Sequence, residues 1–191
     1  MALADLTALM TDCLPRLRRY ARALVADRVL ADDLVQDTLE RAWLKRAQWR
    51  AGGDIRPWLF GIMHNLYVTQ VRQGSLQLID MEQVAEDNRN ADGQETVESS
   101  TRATQSDRLE MHDLHTALRM LPREQRAVLL LVSLEQMDYK EIALALDIPL
   151  GTVMSRLSRG REKLRLLMAT NDTPQTHKNN SGTLPTLKVV K

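Results

Sequence analysis

DYKEIALALDIPLGTVMSRLSRGREKLR, residues 138–165, reads as two helices on either side of a tight turn. The first, near Tyr139 to Leu146, is apolar at Ile142, Ala143, Ala145 and Leu146. Asp147, Ile148 and Pro149 then break the pattern. Proline cannot continue a helix and biases the residue before it toward extended geometry. At roughly 100° per residue, the second helix places Val153, Leu157, Gly160 and Leu164 on one inward stripe. The opposite face carries Gly151, Ser155, Ser158 and Arg159, with Arg156, Arg161 and Arg165 on the flanks. Small polar residues let a helix approach base edges in the DNA major groove, an arginine reaches guanine, and flanking arginines meet phosphates. A solvated amphipathic helix in a bundle shares this pattern. The short helix and turn in front of it supply helix-turn-helix spacing and favour the DNA reading.

Upstream, RAVLLLVSLEQ (126–136) is so apolar that it belongs at the buried centre of a small bundle. Residues 107–121 add an apolar face of Leu109, Leu114, Ala117, Leu118 and Leu121. His112 and His115 lie three apart there, but without a third ligand they make a poor metal site. From Gln73 to Ser106 periodicity fades into AEDNRNADGQETVESSTRATQS, a polar and acidic stretch expected to be a flexible connector. After Ala169 the pattern ends, and residues 170–191 are expected to be disordered.

The N-terminal part reads as three helices. LPRLRRYARALV turns Leu14, Leu17, Tyr20, Ala21 and Leu24 inward. Arg16, Arg18, Arg19 and Arg22 then form either a solvated basic face or a polyanion contact. ADDLVQDTLERAWLKRAQW (31–49) turns Leu34, Val35, Leu39, Ala42 and the stem of Arg46 to one side. Asp33, Gln36, Asp37, Glu40 and Leu44 lie on the other. Acids early in a helix favour its positive dipole end, which accounts for Asp32 and Asp33. Asp37 and Glu40 extend the stripe to an apolar anchor at Leu44, the pattern of a protein-docking surface. Gly52, Gly53 and Asp54 mark a loop, and Pro57 suits the first turn of a third helix. That helix is apolar along Ile55, Leu59, Ile62 and Leu66, with Gln70 at its end, and again along Phe60, His64, Tyr67 and Val71. Two such stripes predict a helix packed between neighbours. Trp49 and Trp58 would otherwise be free to stack on unpaired bases.

These elements make an all-α chain of two small helical domains joined by a flexible acidic linker, the second ending in the helix-turn-helix. The expected boundaries are 1–72, 73–106, 107–169 and a tail of 170–191. Of the 191 residues 43% are hydrophobic and 27% charged, ordinary for a globular protein. The net charge of +1 hides a segregation: residues 1–72 hold 11 Lys/Arg against 8 Asp/Glu, whereas 73–106 hold 2 against 7. A near-neutral total argues against tight DNA binding by charge alone. The lone Cys13 excludes an internal disulfide and is expected as a buried thiol. Asp5 and Asp12 interrupt any leader pattern, and no apolar run approaches the roughly 20 residues that span a bilayer. The expected compartment is the cytoplasm. No phosphate loop, nucleophile elbow or metal-ligand spacing is present, so no enzyme, cofactor or small-molecule substrate is expected.

Two stretches together, DLVQDTLERAWLKRAQW…RPWLFGIMHN and LPREQRAVLLLVSLEQMDYKEIALALDIPLGTVMSRLSRGREKLR, resemble regions 2 and 4 of bacterial extracytoplasmic-function sigma factors. The resemblance covers residues 10–72 and 107–168 and includes the acidic linker between them. It implies that Asp33, Gln36, Asp37 and Glu40 dock on core RNA polymerase. It implies that Trp49, Arg50, Asp54, Arg56, Trp58 and Asn65 recognise and open the −10 promoter element. Thr152, Ser155, Arg156, Ser158, Arg159 and Arg161 would read the −35 element in promoter DNA. By the same resemblance the linker threads the polymerase's RNA path, and a membrane-anchored anti-sigma factor holds the protein inactive at the inner membrane until it joins the nucleoid. The competing reading is a stand-alone helix-turn-helix regulator with a helical dimerisation domain. An anti-sigma antagonist with a sigma-like fold would also carry a receiver domain, of which the sequence has no sign.

Overall fold

The structure is a computed structural model that describes residues 3–25, 27–49, 53–74 and 105–171. Most of the expected linker and tail, together with Arg50, lies outside them. Seven α-helices are described: α1 (Leu3–Leu24), α2 (Arg28–Leu44), α3 (Arg56–Arg72), α4 (Gln105–Arg119), α5 (Arg123–Ser133), α6 (Tyr139–Leu146) and α7 (Leu150–Asn171). A short 3-10 turn, Arg46–Gln48, follows α2.

The helix ends follow from local chemistry. Asp27 caps α2 by accepting from the Leu30 N–H at 2.8 Å. At α6, Asp138 accepts from the Glu141 N–H at 2.7 Å and Glu141 accepts from the Asp138 N–H at 2.9 Å. This reciprocal capping box fixes where the helix-turn-helix begins. Asp147 closes α6 in the left-handed region at φ 52°, so the turn to α7 is made by an aspartate where glycine is more usual. The Pro149 carbonyl accepts from Thr152 N–H at 2.8 Å and opens α7.

Helices α1–α3 form one group and α4–α7 a second. Leu17, Tyr20, Ala21 and Leu24 of α1 are buried as the pattern predicts, and Tyr20 meets Phe60 edge to face at 5.1 Å. The two apolar stripes of α3 are both used: it lies between α2 and α6, with Leu59, Phe60, Met63 and Tyr67 buried. In the second group α5 is the centre, buried from Arg126 through Leu131. One apolar core runs through both groups, joined where α3 packs on α6 and α1 on α5.

Two local expectations need correction. The stem of Arg46 does not face inward, because α2 ends at Leu44 and the 3-10 turn carries Arg46 outside, its guanidinium 5.4 Å from the Trp43 ring centre. Thr38 is fully buried instead, its hydroxyl donating to the Leu34 carbonyl at 2.7 Å. Helix α7 continues to Asn171, past the expected end at Ala169.

Candidate nucleic-acid interface

Helix α7 divides as its periodicity requires. Val153, Leu157 and Gly160 face the core, and Gly160 sits against Gln125 and Leu129 of α5. Gly151, Ser158, Arg159 and Arg161 are exposed, whereas Thr152, Ser155 and Arg156 are half-buried. Ser155 donates to the Thr152 carbonyl at 3.1 Å, which holds its side chain against the helix and leaves the surface shallow. The two arginine shoulders are unlike. Arg161 lines an open cleft with Tyr139, Met154 and Ser158, where Arg165 is paired to Glu162 at 2.8 Å. Arg156 lies on the other shoulder, toward α3, where its charge and burial act on His64. Burial first and then that charge lower the His64 pKa to about 4, so the imidazole is neutral at physiological pH.

On α2 the residues Asp33, Gln36, Asp37 and Glu40 are all exposed along one side of the helix. Asp37 accepts from the Gln70 side chain of α3 at 3.1 Å, so it also ties two helices together. The strip ends in Trp43 and in Leu44, which is 63% exposed. Beside it an apolar hollow is lined by Met10, Leu14, Leu39 and Trp43. Acid beside uncovered apolar surface is what a partner protein would bury.

Between α2 and α3, Trp49 and Trp58 stack at 5.6 Å with an interplanar angle of 37°. Both are half-buried, and the Trp49 indole N–H has no partner. Asp54 accepts from the Arg56 N–H at 2.9 Å and pairs with its guanidinium, which holds the Asp54 carboxyl below the usual carboxylate range. Asn65 is exposed one turn before Thr69, whose hydroxyl donates to the Asn65 carbonyl at 2.8 Å. Cys13 is buried, and burial followed by the nearby Asp54 raises its pKa, which suits an inert thiol. Among the described residues no cluster of His, Cys, Asp and Glu could hold a metal, and no helix is long and apolar enough to cross a membrane.

The seam between the two helical groups holds functional-looking residues that the sequence pattern does not flag. Glu135, in the turn after α5, has no exposed surface. It accepts from Arg19 at 2.8 Å, with Arg16 at 3.7 Å. Arg126 is 3% exposed and donates to the Tyr67 hydroxyl of α3 at 3.0 Å. Both lie 59 or more residues from their partners in the chain, so no local motif could reveal them.

Residues 10–64 match the sigma2 domain of PhyR, and residues 111–164 match region 4 of sigma-70. Over 154 residues the chain is 32% identical to the ECF RNA polymerase sigma factor EcfG of Rhodopseudomonas palustris, covering 81% of this chain and 80% of that one. The chain belongs to the family of extracytoplasmic-function (ECF) RNA polymerase sigma factors. An RNA polymerase sigma-E factor of Streptomyces avermitilis is 33% identical over 159 residues, 82% of this chain and 80% of the relative. Among solved structures, the sigma factor RpoE of Bartonella quintana, in complex with the anti-sigma factor NepR, aligns with a TM-score of 0.66 at 29% identity, covering 88% of this chain and 99% of RpoE. CnrH in complex with the cytosolic domain of CnrY shares the fold at a TM-score of 0.61 and 24% identity. This ECF sigma factor therefore has the all-helical two-region architecture of its family, with the helix-turn-helix inside region 4.

Proposed function

We propose that this alternative sigma factor joins core RNA polymerase through the α2 strip and directs initiation at promoters read by α3 and α7. The observation that carries the reading is the α2 strip: Asp33, Gln36, Asp37, Glu40 and Leu44 all stand exposed, in a chain whose α7 also leaves Ser158 and Arg159 uncovered. One chain thus offers a protein-docking face and a groove-reading face. In this account Asp33, Gln36, Asp37 and Glu40 contact the polymerase. Trp49, Arg50, Asp54, Arg56, Trp58 and Asn65 serve the −10 element, where an aromatic pair near the exposed Asn65 suits a separated strand. Thr152, Ser155, Arg156, Ser158, Arg159 and Arg161 serve the −35 element. Residues 1–72 and 107–169 act as the two promoter-reading domains, with 73–106 as an acidic linker along the RNA path and 170–191 as a tail.

An anti-sigma factor that keeps the protein from the polymerase completes the proposal, supported by the similar sigma factor RpoE solved with the anti-sigma factor NepR. Its membrane anchoring, with release from the membrane to the nucleoid, follows from the family resemblance. The test is affinity capture of purified core polymerase by the tagged chain. The parent should retain core, and Asp37→Lys/Glu40→Lys should retain much less while keeping its helical content. Equal retention by both would remove α2 as the docking face.

A further inference from the structure

Three guanidinium groups of the first helical group converge on the end of α5 in the second. Arg19 donates through Nη2 to the Leu134 carbonyl at 2.7 Å and to the Glu135 carboxylate at 2.8 Å. Arg16 stands 3.7 Å from the other carboxylate oxygen, and Arg56 donates to the Glu135 carbonyl at 3.2 Å. What they hold is an anion in all but name: a carboxylate and two carbonyls at the negative end of a helix dipole. Glu135 has no exposed surface, while the side chains of Arg16, Arg19 and Arg56 remain 46%, 52% and 26% exposed. The cationic side is therefore open to solvent, and the anionic side is inserted into it.

The seam around this contact is poorly satisfied for a permanent core. Tyr20 Oη, His64 Nδ1, Arg126 Nε and Glu135 Oε2 are buried with no hydrogen bond to another protein group. Each such atom costs free energy that water would return if the groups parted. A buried carboxylate is likewise expensive to desolvate even when paired. These polar features sit beside the shared apolar core and make the seam the place where the two groups would part.

We infer that Arg16, Arg19 and Arg56 form an anion cradle with alternating ligands: Glu135 when the helical groups are closed, and a phosphate of promoter DNA when they part. The inference rests on the proposed promoter function. Phosphate follows from the chemistry, since guanidinium forks match its oxygens as well as they match a carboxylate. DNA follows from placement. Arg56 is paired with Asp54 and lies two residues before Trp58 of the tryptophan pair, where a backbone phosphate would accompany a stacked base. Glu135 thus stands in for that phosphate and keeps the cradle from it.

Two variants separate this cradle from a simple latch. Glu135→Gln and Arg19→Ala both weaken the closing contact by breaking its charge pair, so both should lower energy transfer between dyes on cysteines placed at the exposed Val29 and Met111. They should diverge on DNA. In holoenzyme titrated with a fluorescein-labelled promoter duplex over a salt series, Arg19→Ala should bind several-fold more weakly, with a log–log salt slope shallower by about 1. Glu135→Gln should keep the parent's slope and bind at least as tightly. Arg16→Ala, at the looser contact, is the milder form of the same test should Arg19→Ala fold poorly. Equal salt slopes for parent and both arginine variants would overturn the cradle, as would unchanged energy transfer in Glu135→Gln. Absence of run-off product from the parent would defeat the functional reading alone, because the salt slope of the free Glu135→Gln chain, whose cradle is released, still reads the cradle against Glu135→Gln/Arg19→Ala.

Discussion

At the residue scale, sequence readout separates the arginines of α7. Arg159 lies with Ser158 on the uncovered face, whereas Arg161 stands on a shoulder beside Tyr139. A bidentate arginine–guanine contact is worth about 1–3 kcal/mol of discrimination, while a phosphate contact adds affinity without sequence information. Arg159→Ala should therefore relax selectivity at one or two positions of the upstream element, and Arg161→Ala should weaken all promoters about equally. Transcription from a library randomised across that element checks both; an unchanged profile for Arg159→Ala would contradict the helix orientation. His64 gives a pH prediction. Its folded pKa of about 4 lies below the ordinary 6.5, so between those values the unfolded chain binds a proton that the folded chain does not. The stability from its neutral, buried state is complete above about pH 6.5 and lost progressively down to about pH 4. Glu124 and Arg156 are the charges that act on it. Thermal melts across this window should show a falling Tm that His64→Leu flattens, and parallel curves for the two would refute the assignment. Such single polar residues are the least legible part of a sequence. Arg16 and Arg19 read equally well as a solvated face, and only the arrival of Glu135 from 116 residues away decides their partner.

At the element scale, the amphipathic patterns were legible because each helix answers to its own periodicity. The two stripes of α3 implied neighbours on two sides, and α2 and α6 supply them. The pattern could not say which neighbour would come from the other half of the chain. Gly61 marks that contact: a Cβ there would lie 2.7 Å from the Ala145 carbonyl oxygen of α6, and a backbone atom yields little. Gly61→Ala should cost about 1–3 kcal/mol in the closed packing. It should also raise amide exchange in α6, with α2 unaffected. Unaltered exchange would mean that α3 and α6 do not depend on close approach. For α2 the face was legible and its end was not, since α-helix gives way to a 3-10 turn at Arg46 and turns that stem outward. Charge reversal at Glu40 is the cleaner probe of docking there, because Asp37 also accepts from Gln70 and its loss would loosen α2 on α3.

At the scale of the whole molecule, the closed packing of the two helical groups is the feature that sequence periodicity could not supply. Burial patterns define faces within a helix, and the joining contacts are a glycine, a buried arginine and a buried glutamate, none of which repeats. The acidic stretch between the groups is legible in composition, and its role calls for its own experiment. Replacing Asp80, Glu82, Glu86, Asp87, Glu95 and Glu98 with Asn or Gln should impair early transcription more than promoter binding. Unchanged abortive and full-length yields would leave a plain tether. The central claim is that this chain acts as a sigma factor, supplying specificity to a polymerase that lacks it. The most direct measurement is run-off transcription from a cognate promoter with purified core RNA polymerase, with and without the chain. The account predicts full-length product only when both are present, and no specific footprint from the chain alone. A tight, sequence-specific footprint by the chain without polymerase, with no run-off product when core is added, would contradict it.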